Sequence, residues 1–474
     1  MQMSMGEVAA ILGSLTGEGG RVAGGYSIDS RTVRPGDLFF AIRGPRMNGH
    51  DFVAQALERG AVGAVVEKGF LDSGLPVLSS SLILVPDTTA ALQKLALVVR
   101  RKWGRRLVAI TGSAGKTTTK EMTAALLSQR LSVLKSPGNL NNDYGLPLAL
   151  LQLEPSHEVA VVELAMSAPG EIASLARIAE PQVGVVTNVA PVHLQFFDSV
   201  DSIAAAKREL IENLPADGTA VLNNDDERVR RFNEGFRGKV VTFGLEPGAL
   251  FQAVDLRQSG EPGTSFSVLG KGIKAEFKVN LPGRHNVKNA LAAIATASLF
   301  DIPVPALQDA LARFQTLHQR SEVLTLAGGI TILNDSYNSN PLALEMMLDT
   351  LANWPTEGRR IVVAGEMLEL GPASRALHHE AGRKCVQSEV DWLLAVQGDA
   401  QYILEGALEA GLRADHGRFF STSEEAGNYC LSLGRQGDVI LVKGSRGVHL
   451  EKVIGLLQSN RELAPRNGNL ESKG

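Results

Sequence analysis

At 474 residues the chain exceeds what one hydrophobic core usually serves, so two to four domains of roughly 100–200 residues are expected. Its 47 basic and 51 acidic residues leave a net charge of -4, too little positive field to hold a nucleic acid, although one local pocket could still hold a small polyanion. The two cysteines, Cys385 and Cys430, allow at most one disulfide and exclude a cysteine-rich metal site. No run approaches the roughly 20 apolar residues of a membrane span, and no basic stretch precedes an apolar one at the N-terminus, so a soluble cytoplasmic protein is expected.

In chain order, "GDLFFAI" (36–42), "AVGAVVE" (61–67) and "SLILVP" (81–86) read as strands, with "HDFVAQALERG" (50–60) as a helix between the first two. A helix over "TTAALQKLALVVRRKWG" (88–104) leads into a short buried strand at Leu107–Ile110. From there to about 315, "HEVAVVELA" (157–165), "VGVVTNVA" (183–190) and "TAVLNN" (219–224) are continuous apolar runs, as parallel strands covered on both faces require. Amphipathic helices lie between them at 172–180 and 201–214. "GGITILNDSY", "RRIVVAGE", "DWLLAVQG" and "GDVILVKGS" predict four more strands with a core of their own. The resulting division is 1–87, 88–315 and 316–474, an α/β chain in three parts, with the polar tail 461–474 expected to be disordered.

The stretch "VAITGSAGKTTTKEM" is a strand, a glycine turn and a helix, and it differs from the G-x-x-x-x-G-K-[ST] rule because Ile110 stands where the first glycine belongs. Gly112 and Gly115 permit the tight turn that points N–H groups at phosphate oxygens, and the helix presents its positive end there. Lys116 is placed as a point charge for the β- and γ-phosphates, and Thr117 as a Mg²⁺ ligand. Glu163 follows an apolar strand, where it is either a solvated strand end or an acid paired with a cation. His193 also follows a strand and reads as a structural hydrogen-bonder or a ligand. Both groups and the loop sit at the carboxyl ends of parallel-type strands, where open α/β sheets bind ligands. Lys207 reads by default as a solvated helix residue.

The stretches "GSAGKTTTKEM", "GNLNNDYGLPL", "VVELAMSAPGEI", "TNVAPVHLQFF", "IAAAKREL", "GRHNVKNALAA", "NDSYNSNP", "AGEMLELG" and "KGSRG" occur in the order seen in the Mur ligase family, and the shortened loop is that family's form. The chain resembles this family over essentially its whole length. The resemblance implies three domains: an N-terminal one for a uridine nucleotide, a central ATPase built on a mostly parallel sheet, and a C-terminal dinucleotide-binding-like domain that closes over ATP. It implies an ATP-dependent amide ligase that joins D-alanyl-D-alanine to UDP-N-acetylmuramoyl-tripeptide through an acyl phosphate, with "SYNSNP" and "EMLELG" in place of the "DNPR" of the tripeptide-forming members. A cytoplasmic monomer in peptidoglycan synthesis is implied, with no nucleic acid and no membrane span.

By the same resemblance, Gly112, Ser113, Ala114, Gly115, Lys116, Thr117 and Thr118 hold the ATP phosphates, His285 and Asn286 lie beside the adenine, Arg320 contacts phosphate, and Asp335 reaches the nucleotide from the third domain. Thr117 and Glu163 resemble ligands of one Mg²⁺, His193 lies near a second, and Lys207 resembles the family's carbamylated lysine, an anion where a free ammonium would repel the metal. Ser30 and Arg31 resemble contacts of the uridine diphosphate; Asn141, Asn142, Ser167, Asn338 and Asn340 resemble contacts of the nucleotide-peptide or the incoming dipeptide. The chain departs from the family at Ala165 and at Ala190–Pro191, where glycines are common, and at Glu366, where aspartate is frequent. A rival reading is a nucleotide-driven protein that moves a partner and makes no bond.

Overall fold

The computed structural model describes residues 1–14, 20–73, 81–258, 263–315 and 317–460; the expectation for the tail lies outside them. Three sheets carry the architecture. Near the N-terminus four parallel strands run in the order Gly25–Ser27, Asp37–Phe40, Gly63–Glu67 and Leu82–Val85. Gly25–Ser27, unforeseen in the sequence, forms one edge, and Met3–Ser4 pairs with Val22–Ala23 beside the sheet.

The central sheet has nine strands. Seven are parallel, in the spatial order Phe251–Gln258, Lys239–Gly244, Thr219–Asn223, Val183–Val186, Arg106–Thr111, Val159–Glu163 and Val133–Lys135. Thr264–Gly270 and Ile273–Val279 extend it antiparallel at one end. The phosphate-loop strand lies between strands that follow it in sequence on either side, so the carboxyl ends of three neighbouring strands open onto one crevice. Alternate residues of the buried strands face opposite layers. Val108, Ile110, Val161 and Val185 pack on the helices Lys116–Leu127 and Arg284–Ala297, whereas Leu107, Ala109, Val162 and Val186 face the other side.

Helix Thr88–Trp103 starts where Asp87 accepts from the Ala90 N–H and stops at Gly104 in the left-handed region. Its stripe Leu92, Leu95, Ala96 and Val99 is fully buried, and the helix packs on strand Gly63–Glu67 and on the helices Met5–Leu12, Gly145–Leu150 and Glu171–Ala179. One continuous core takes in this stripe together with Leu38, Phe40, Val65 and Ile83 of the N-terminal sheet and Leu107, Ala109, Ala160 and Val162 of the central one. The first two sheets therefore share a single apolar core.

The third sheet has six strands where four were expected: Glu322–Leu326, Ile330–Asn334, Val439–Lys443, Arg360–Gly365, Trp392–Val396 and Gly417–Phe420. The two unforeseen strands are its edges, the first antiparallel. Its two faces have separate cores, and Cys385 and Cys430 lie unpaired and buried in different ones, so no disulfide joins them. Among the described residues no helix is long and apolar enough to cross a membrane.

Candidate active site

The loop after strand Arg106–Thr111 is shaped by what crowds it. A Cβ at Gly112 (φ 146°) would lie 1.9 Å from Thr187 Oγ1, and one at Gly115 (φ 80°) 2.4 Å from Asn289 Oδ1. Both positions must be glycine because neighbouring polar groups clasp the loop. Thr187 Oγ1 donates to the Ala114 carbonyl at 2.7 Å, the Asn188 amide both accepts from the Ala114 N–H (2.8 Å) and donates to its carbonyl (3.0 Å), and the Ala190 N–H donates to Ser113 Oγ at 2.9 Å. Helix Lys116–Leu127 begins here with its positive end toward the crevice. Lys116 Nζ donates to the Gly112 carbonyl at 2.7 Å; burial pulls its pKa below the ordinary value, and nearby Glu163 opposes that shift.

Glu163 is the last residue of its strand and only 3 % exposed, which overturns its reading as a solvated strand end. Its Oε2 accepts from Thr117 Oγ1 at 2.8 Å, its Oε1 from Asn141 Nδ2 at 2.9 Å, and its N–H donates to Ser136 Oγ at 3.3 Å. One carboxylate with a hydroxyl beside it, at a phosphate loop, is an oxygen donor set that suits Mg²⁺, which binds through one or two carboxylates and fills its remaining positions with water and phosphate. Among the described residues no group of three His, Cys, Asp or Glu side chains forms a closed metal cage.

A cavity of about 590 Å³ opens above these groups, and the third sheet supplies its far wall. Asp335 directly follows strand Ile330–Asn334 and is held by Lys443 Nζ and by the Ser321 N–H, at 2.8 Å for the latter. Burial works against its charge, but Lys443 keeps the carboxyl below its usual range. His285 faces it across the junction, pushed down to about 4 mainly by burial, and the Arg320 guanidinium stacks 4.0 Å above the Tyr337 ring. His193, in a left-handed conformation, directs Nδ1 to Glu369 Oε2 of the third sheet's loop at 2.5 Å, and the Gln195 N–H donates to the Glu369 carbonyl at 3.1 Å.

Family models match the chain over three stretches: "Mur ligase family, catalytic domain" over 23–102, "Mur ligase middle domain" over 110–297, and "Mur ligase, glutamate ligase domain" over 319–446. The UDP-N-acetylmuramoyl-tripeptide--D-alanyl-D-alanine ligase of Escherichia coli (strain K12) is 36% identical over 436 residues, 91% of this chain and 93% of that one. Its counterpart in Bacillus subtilis (strain 168) is 34% identical over 430 residues, 91% and 92% of the two chains. The chain belongs to the Mur ligase family. The solved structure of MurF from Acinetobacter baumannii superposes with a TM-score of 0.85 at 28% identity, covering 97% of this chain and 99% of the other. The three-part α/β architecture is that of the Mur ligases.

Of the residues singled out from the family pattern, Ser113, Ala114, Gly115, Lys116, Thr117, Thr118, Asn141, Glu163, His193, His285, Asn286, Arg320, Asp335, Asn338 and Asn340 line this cavity. Others are spent elsewhere. Asn142 Oδ1 accepts from the N–H of Gly145, the first residue of helix Gly145–Leu150, at 2.9 Å. Ser167 is bonded to Glu171, and Asn340 caps the helix Pro341–Ala352 through the Ala343 N–H even though it borders the cavity. Ser30 and Arg31 belong to the N-terminal sheet region, away from this cavity; Ser30 Oγ donates to Gln55 at 2.7 Å, and exposed Arg31 pairs with Asp29.

Lys207 corrects the reading of a solvated residue: it is 2 % exposed, and burial together with Lys116 pushes its pKa well down, with no carboxylate paired to it among the described residues. Its position was detectable. Ile203, Lys207, Leu210 and Ile211 share the buried stripe of helix Val200–Glu212, so a lysine sits at a core position of the pattern. The departures prove mild. Ala165 has no positive φ, and the Ala190 N–H serves Ser113. Glu366 accepts from the Asp399 N–H at 3.1 Å inside the third unit. Sequence reasoning passed over Thr187, Asn188, Asn289, Tyr337 and Lys443, whose roles arise only when distant strands meet.

Proposed function

We propose that the chain joins D-alanyl-D-alanine to UDP-N-acetylmuramoyl-tripeptide, with ATP giving ADP and phosphate, to make the UDP-N-acetylmuramoyl-pentapeptide precursor of peptidoglycan. The observation that carries this is end-to-end similarity to ligases of that name, combined with a cavity that sets phosphate-binding groups against a third-domain wall. The domains 1–87, 88–315 and 316–474 would serve the uridine nucleotide, ATP and the incoming dipeptide respectively.

A carboxylate is a poor electrophile, so its oxygen first attacks the γ-phosphorus and ADP departs. The dipeptide's amine then attacks the acyl carbon, loses a proton, and phosphate leaves. Lys116, the loop N–H groups and Arg320 would offset charge on the transferring phosphoryl group, and the third-domain wall would exclude water from the acyl phosphate. Mg²⁺ held by Thr117 and Glu163 would supply further neutralisation, with a second ion near His193. Buried Lys207, whose depressed pKa favours the neutral amine that reacts with CO₂, suits carbamate formation, which would turn a cation into an anion beside Lys116. The family resemblance supports work in the cytoplasm as a monomer.

The test is phosphate release from ATP and Mg²⁺ with UDP-N-acetylmuramoyl-tripeptides carrying lysine or meso-diaminopimelate, with and without D-alanyl-D-alanine, and product mass. Release that needs both acceptors, with a mass gain of one dipeptide less water, is the expected result. Release indifferent to the acceptors would instead favour a nucleotide-driven machine that forms no bond. Lys116→Ala should reduce turnover by at least about 100-fold.

A further inference from the structure

Lys120 lies one turn beyond Lys116 on the phosphate-loop helix and is 0 % exposed, in a place where an ammonium costs several kcal/mol unless it is fully hydrogen-bonded. Two carbonyls and a carboxylate surround it. Nζ donates to the Ser136 carbonyl at 2.7 Å and to the Gly138 carbonyl at 3.0 Å, and lies 3.3 Å from Glu121 Oε1. Ser136 in turn is pinned to the neighbouring strand: its N–H donates to the Val161 carbonyl at 3.0 Å and its Oγ accepts from the Glu163 N–H. The segment that follows carries Asn139 and Asn141 into the cavity. There the Asn141 amide donates to Glu163 Oε1 and the Asn141 carbonyl accepts from the Ala165 N–H at 2.9 Å.

From this connectivity we infer that Lys120 is a positioning residue for the transfer reaction: it anchors the loop 136–141 to the phosphate-loop helix, and through Asn141 it fixes the orientation of the Glu163 carboxylate. Strand bonds hold the loop at its ends, Ser136 and Asn141, and Lys120 holds the Gly138 turn between them. Gly138 is in the left-handed region (φ 50°), a conformation that presents its carbonyl back toward the helix. Lys120 reaches none of the reacting atoms. It makes the phosphate-binding helix and the substrate-facing loop one rigid unit, so that the acceptor side of the site is set before substrate arrives. The functional part of this inference rests on the ligase reading; the positional part does not.

The experiment compares wild type, Lys120→Met, Asn141→Ala and the double variant by steady-state phosphate release with both acceptors, by ATP titration, and by amide hydrogen exchange. Lys120→Met should lower kcat by about 100-fold while ATP affinity stays within about threefold, because the phosphate loop itself is untouched. In an Asn141→Ala background the same change should cost no more than about twofold, since its route is already cut. Exchange should rise over residues 136–141 and stay unchanged in strand Arg106–Thr111. Multiplying losses, a kcat within about threefold of wild type, or an unmoved exchange pattern would each overturn the inference. If Lys120→Met does not fold, Lys120→Gln, which stays polar but removes the charge and shortens the arm, is held to the same criteria. A wild type silent with both acceptors would defeat the ligase reading alone, leaving the exchange result to decide whether Lys120 holds the loop.

Discussion

Burial sets the behaviour of His285, whose imidazole titrates near 4 in the fold against about 6.5 in an unfolded chain. Below pH 6.5 the unfolded chain takes up a proton that the folded one refuses. Its contribution to stability is therefore complete above pH 6.5 and is lost as the pH falls toward 4, by about 3 kcal/mol at most. Urea midpoints should fall over that window, and His285→Gln should flatten the slope. Lys207→Ala should lose about 100-fold in turnover and regain part of it with formate or acetate, which restore an anion to the gap; no recovery would remove the support for a carbamate. The phosphate loop and Lys207 differ in how far sequence could reveal them. The phosphate loop was legible because its glycines, lysine and threonine are neighbours in the chain and their chemistry is local. Apart from the family resemblance, Lys207 was legible only as a lysine in an apolar stripe, and its burial near Lys116 came from packing.

Turns and strands show the same division. The continuous apolar runs of the central sheet were readable because strands buried on both faces need no alternation. The hairpin Thr264–Gly270 with Ile273–Val279 carried a fainter mark, the two-residue period of Phe266, Val268, Phe277 and Val279 on one buried face. Edge strands Glu322–Leu326 and Gly417–Phe420 mix polar and apolar residues, and only their pairing defines them. At the phosphate turn the structure adds what sequence could not, the identity of the group that forbids a side chain. Gly115→Ala must place a methyl against Asn289 Oδ1 in a left-handed conformation, a cost of about 1–2 kcal/mol from the backbone before any clash. ATP affinity should fall at least about tenfold, and Asn289→Ala should recover part of it by clearing the space.

Across the whole molecule the cores divide unevenly. The N-terminal and central sheets share one core through helix Thr88–Trp103, whereas the third sheet has its own pair and meets the rest through polar contacts such as His193 with Glu369. Calorimetry should therefore show two transitions, one for the first two sheets together and one for the third, and Leu95→Ala should lower the first by the about 2–5 kcal/mol of a core truncation and leave the second in place. The sequence suggested three separable parts because linkers and strand runs mark chain segments. The fusion of two of them was not readable, since a buried helix looks alike whether it covers one sheet or two.

That fusion makes the protein a caliper. Under the proposed assignment the uridine anchor sits on one jaw and Lys116 on the other, and the shared core holds the gap at one width. A nucleotide-peptide is then gauged by its length: one residue short, it should dock by its uridine end, compete with the tripeptide, and leave its carboxylate out of reach of the phosphoryl group.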